Sequence, residues 1–130
     1  LQEMLDYWAR RWTYEVRDQV MALGLDARTT LLALMNTISN NRAAEYDAPF
    51  RAWALHDPIA RAVVEEVDRV RLEQIQELFA QLGFSATELE NRARLFLYYE
   101  MGAPAMFARP SPEREKELLQ ERHRFLTHPN

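Results

Sequence analysis

The three glycines of this 130-residue chain, Gly24, Gly83 and Gly102, each stand directly behind a run of apolar residues spaced three and four apart. Glycine takes the left-handed conformation at little cost, so it is favoured just past a helix end. Residues that cap helix starts follow. Asp26 precedes Ala27, and Asp57 precedes Pro58, a cap followed by proline at the first helical position. Ser85-Ala86-Thr87-Glu88 has the spacing of a capping box, in which serine and glutamate satisfy each other's amides. Ser111-Pro112-Glu113 repeats the cap-then-proline pattern. A chain punctuated this way divides into helices. The spacing predicts six, at about Gln2 to Leu23, Ala27 to Arg42, Ala48 to Leu55 (capped by Asp47), Pro58 to Leu82, Ala86 to Met101 and Pro112 to Leu126.

The periodicity within these stretches supports an all-α bundle in one domain. Leu31, Leu34, Met35 and Ile38 fall at i, i+3, i+4 and i+7. Ile59, Val63, Val67 and Val70 make one line, continued by Ile75, Leu78, Phe79 and Leu82, with charged residues between. Leu95-Phe96-Leu97-Tyr98-Tyr99 has the composition of a buried strand. It follows a capping box and a helix-compatible run, and there is no second strand for it to pair with, so it is assigned to the fifth helix.

Charge and composition narrow the function. The net charge is −4, from 16 basic and 20 acidic residues interspersed along the chain. That is a poor surface for nucleic acid, which needs clustered Lys and Arg to displace phosphate counterions. There is no cysteine, which excludes disulfides and thiolate metal sites and fits a reducing cytoplasm. No apolar run approaches the ~20 residues needed to span a bilayer. His56, His123 and His128 lack the helical spacing of a metal site, so exposed or capping roles are expected and no metal or cofactor is assigned. No nucleophile motif or phosphate-binding glycine loop is present, and an enzyme is not expected.

Large apolar side chains stand out instead: Tyr7, Trp8 and Trp12 on the first helix, Phe50 and Trp53 on the third, and Phe79, Phe96, Tyr98 and Tyr99 on the fourth and fifth. Aromatics of this kind fill a core or wall an interhelical pocket. Leu95 to Met101 is apolar nearly all round, so the fifth helix is expected to touch its own core on one side and something else on the other. Glu100 within it either pairs with an arginine across that contact, binds a cation, or faces solvent at the helix end. Leu118, Leu119, Phe125 and Leu126 give the sixth helix apolar lines of its own. Surplus apolar surface on two neighbouring helices predicts a partner, most economically a second copy.

The stretch Glu45-Tyr46-Asp47-Ala48-Pro49-Phe50-Arg51-Ala52-Trp53-Ala54, followed by His56-Asp57-Pro58, resembles the middle of TetR-family (tetracycline-repressor-like) regulatory domains. Val67 to Arg71, Leu78 to Ser85 and Arg92 to Tyr99 fit the same pattern, and Leu1 to Trp12 looks like the helix that follows the DNA-reading domain in that family. The resemblance implies an effector-binding domain that forms a homodimer through its last two helices. A small apolar ligand would bind among the first, second, fourth and fifth helices and shift the first. Its pocket is expected at Trp12, Met35, Ile38, Trp53, Ile75, Phe79, Phe96 and Tyr99. The dimer contact is expected at Leu97, Met101, Leu118, Arg122 and Phe125. A helix-turn-helix would precede Leu1, and operator DNA would be a partner only through it. The alternative is a stand-alone helical module that binds another protein; an enzyme built around the interhelical cavity is a further rival.

Overall fold

The computed structural model describes residues 2–129, the side chain of Asn41 excepted, and every regular element among them is helical. The first of six rods is made of three consecutive pieces: α1 (Gln2–Ala9), a π turn (Arg10–Tyr14) and α2 (Glu15–Met21). Then come α3 (Ala27–Asn41), α4 (Ala43–Ala54), α5 (Pro58–Gln81) and α6 (Ala86–Gly102). A 3-10 turn (Ala103–Ala105) and α7 (Pro112–Thr127) complete the chain. None of the described helices is long and apolar enough to cross a membrane. The segment expected before Leu1 lies outside the described residues.

Three expected caps form. Asp26 Oδ1 accepts from Thr29 N at 2.8 Å, Asp57 Oδ1 from Ile59 N at 2.8 Å and Ala60 N at 3.1 Å, and Ser111 Oγ from Arg114 N at 3.2 Å. These amides hold both aspartates below the usual carboxylate range. The capping box at Ser85 does not form. The Ser85 side chain makes no cap hydrogen bond, and the Glu88 carboxylate is engaged elsewhere, its Oε1 accepting from Arg92 Nη2 at 2.8 Å. Arg92 also donates to the carbonyls of Phe125 and Leu126 at 3.1 and 3.0 Å, which satisfies the last turn of α7 and pins it to α6. Gly24 (φ 65°) and Gly83 (φ 90°) are left-handed stops as expected. Gly102 keeps a right-handed φ of −92°, so α6 runs on into the 3-10 turn.

The largest departure from expectation is α4. It begins at Ala43, and Asp47, expected as its cap, lies inside the helix with only 2% of its surface exposed. Pro49 is consequently in the helix interior rather than its first turn. On α5 the buried line is Ala60, Val64, Val67, Arg71, Ile75 and Leu78, with Val63 and Val70 half-buried and Ile59 exposed.

The apolar interior has two parts. One joins α2, α3, α5, α6 and α7 around Leu31, Met35, Ile75, Phe79, Phe96 and Leu119, with Phe79 edge-on to Phe96 at 6.3 Å. The other joins α1, α4 and α5 around Leu5, Trp8, Ala60 and Val67, with Trp8 stacked on Phe50 at 4.8 Å.

Candidate functional site

The π turn sits between these two cores. A π turn holds one residue more than an α turn: Glu15 N–H reaches Arg10 O, five residues back. Such a widened turn leaves backbone groups in need of other partners. Arg71 of α5 supplies one, donating from Nη2 to Trp12 O at 3.3 Å and from Nε to Thr13 Oγ1 at 2.9 Å. Two more bonds run to Asp47 of α4, from Nη1 to Oδ2 at 2.6 Å and from Nη2 to Oδ1 at 3.1 Å. Asp47 Oδ1 also accepts from Trp8 Nε1 at 2.9 Å. A buried ion pair thus ties the first rod to α4 and α5 at the turn where the rod is widest.

Against the Arg71 side of this pair lies a cavity of about 50 Å³, bounded by the π turn, α2, α3, α4, α5 and α6. Its walls are chiefly apolar, with Val16, Leu34, Ile38, Ile75, Phe96 and Leu97 prominent. Trp12, Arg17 and Met101 also line it, and Arg71 and Gln74 bring polar groups to it.

The pocket residues expected from sequence divide into three groups. Trp12, Ile38, Ile75 and Phe96 are brought together on the cavity wall. Met35 and Phe79 are wholly buried behind it in the core. Trp53 lies in the other core, its Nε1 donating to Asp57 Oδ2 at 3.2 Å, and Tyr99 lines a separate polar cleft of about 420 Å³. Sequence reasoning missed Arg71, Asp47 and Gln74.

That cleft also holds Glu100, Glu115 and Arg109. Glu100 is buried, and Arg122 of α7 approaches it at 3.4 Å while reaching Glu115 at 3.6 Å. The Arg122 guanidinium lies 3.7 Å from the centre of the Tyr99 ring. Glu100 therefore pairs with an arginine of its own chain. Burial pushes its carboxyl up to about 7, against the opposing pull of Arg122. Between the ordinary carboxylate range and about 7 the folded chain binds a proton that the unfolded chain has lost. This group's contribution to stability is therefore full in acid and falls as pH rises through that window. Glu100→Gln should flatten the fall, read as a smaller difference between urea midpoints at pH ~5 and ~8 than in the parent chain. An equal difference in both proteins would contradict it.

The residues expected at a dimer contact also divide. Leu97 is buried and Met101 Sδ lies 3.3 Å from Arg71 Nη1, so both face α5. Leu118 and Arg122 are half-buried, and Phe125 is 56% exposed. At about 100° per residue the outward line of α6 instead carries Leu95 and Tyr98, both exposed.

His123 Nε2 lies 2.7 Å from Arg28 O, a structural bond between α7 and α3, while His56 and His128 are exposed. Among the described residues no group of three or more His, Cys, Asp or Glu is placed to hold a metal ion. No family model, curated protein or solved structure matches the chain. Any functional reading rests on the arrangement of its own residues.

Proposed function

We propose that the chain is the ligand-sensing and self-pairing domain of a TetR-like transcriptional regulator, with no enzymatic activity of its own. The observation that carries the sensing half is the apolar cavity against the π turn, which gathers Trp12, Ile38, Ile75 and Phe96. A ligand there touches the first rod at its least regular point, the π turn, a form often found at functional sites. At about 50 Å³ the cavity is far below the ~300 Å³ of a typical small-molecule site, so a ligand larger than a few atoms enters by displacing flexible side chains such as Met101. The ligand acts through differential affinity for two settings of the first rod. DNA reading would belong to a helix-turn-helix domain outside this chain, and the setting would be the cytoplasm. The self-pairing half is supported by the apolar residues on the outer sides of α6 and α7, Leu95, Tyr98 and Phe125.

Thermal melting in the presence of diverse small apolar molecules tests the sensing half. A ligand at a hundredfold excess over Kd should stabilise by about 2.7 kcal/mol and raise Tm by several degrees. No shift from any compound at saturating dose would leave the rival reading, a helical module that binds another protein through the same outer residues.

A further inference from the structure

The charged groups lining the cavity are Arg71 and Arg17. A guanidinium has five N–H donors. Those of Arg71 are taken by Thr13 Oγ1, Trp12 O, both oxygens of Asp47 and, most weakly, Met101 Sδ. Its charge is cancelled at 2.6 Å by Asp47, itself almost wholly buried. Arg17 is partly exposed, with Nε 3.3 Å from Asp18 Oδ1 and its guanidinium over the Tyr14 ring at 5.4 Å. An anion in the cavity would therefore meet an already neutralised Arg71 and a partly exposed, water-screened Arg17, and it would sit near the Asp47 carboxylate in a low-dielectric place.

Two uncharged polar side chains besides Thr13 line the cavity, Thr37 and Gln74. Gln74 lies one turn after Arg71 on α5, and its Nε2 is buried with no hydrogen-bond partner among the described residues. An unsatisfied buried donor is costly, and an acceptor placed against it recovers that cost. Both ends of the amide are uncharged.

We propose that the cavity takes a small uncharged apolar molecule with a single hydrogen-bond acceptor, such as a ketone, ester or ether, and that Gln74 is the residue that reads the acceptor. This rests on the sensing reading above and names its ligand class.

A matched trio tests it: pentan-2-one, pentanoate and pentane, titrated at neutral pH against the tryptophan fluorescence of the whole chain, with Tm as a second readout. The ketone should bind about tenfold or more tighter than the carboxylate. It should bind about three- to tenfold tighter than the alkane. Gln74→Leu should abolish the ketone's advantage over pentane while pentane still binds. Should that variant not fold, the ratio of ketone to carboxylate in the parent chain still decides. Tighter binding of pentanoate overturns the assignment and leaves the sensing reading intact. An unchanged ketone preference in Gln74→Leu removes Gln74 as its reader. Binding by none of the three overturns the assignment, and failure of a diverse panel as well removes the sensing reading with it.

Discussion

Replacing Arg71 by methionine is expected to destabilise the fold by about 3–5 kcal/mol, because it leaves the buried Asp47 carboxylate without its main counter-ion. Asp47 is 2% exposed and would keep only the Trp8 indole N–H at 2.9 Å and the distant Arg51, whose Nη2 is 3.7 Å away and whose main bonds run to Asp68. For a domain with ~5–15 kcal/mol of total stability, such a loss brings unfolding within reach of mild denaturant. Replacing both partners, Arg71→Met with Asp47→Leu, should recover much of the loss, since two apolar side chains leave no stranded charge. Recovery stays incomplete because the Trp8 indole, Thr13 hydroxyl and Trp12 carbonyl lose their partner, a residual cost of about 1–3 kcal/mol. Urea midpoints of the two variants against the parent chain measure both quantities. A single Arg71→Met change within about 1 kcal/mol of the parent would mean that the pair does not anchor the first rod.

Phe96→Ala should cost a similar ~3–5 kcal/mol, for a different reason. Phe96 is fully buried, meets Phe79 edge-on and forms part of the cavity wall. Truncation loses burial and aromatic contact, and it opens a void continuous with the existing 50 Å³. An engineered apolar cavity of about 150 Å³ takes up benzene. Benzene should therefore restore several degrees of Tm to the variant and fewer to the parent chain. Equal gains in both would place benzene elsewhere.

The helical class was legible from caps and glycines because these signals are local: Asp26, Asp57 and Ser111 bond amides two or three residues ahead. Ser85 was misread where a tertiary partner intervened, since Arg92, tied to the end of α7, claims the glutamate its box required. Half of the expected pocket residues share one wall because aromatic and β-branched residues on inward faces converge there. The buried pair was hidden for a related reason. Asp47 before Pro49 has the look of a helix cap, and Arg71 in a charged helix has the look of a solvated residue. Arg71 nevertheless falls in line with Val64, Val67, Ile75 and Leu78 at spacings of three and four. An arginine on an apolar line was the available signal, together with an aspartate elsewhere to answer it. The outward placement expected for Leu97 fails because Leu95 to Met101 is apolar at every position but Glu100, and composition carries no phase. Only packing against α5 shows that Leu95 and Tyr98 face out.

On the proposed self-pairing, two copies would meet across the outer faces of α6 and α7, where Leu95, Tyr98 and Phe125 are exposed. Sedimentation equilibrium of the chain at micromolar concentration tests it most directly, alongside a variant carrying Leu95→Arg and Phe125→Glu. Both positions are exposed, so the substitutions leave the interior packing alone. The parent should sediment with the mass of two chains and the variant with the mass of one. A parent chain that sediments as a single copy, or a dimer the variant leaves intact, would contradict it.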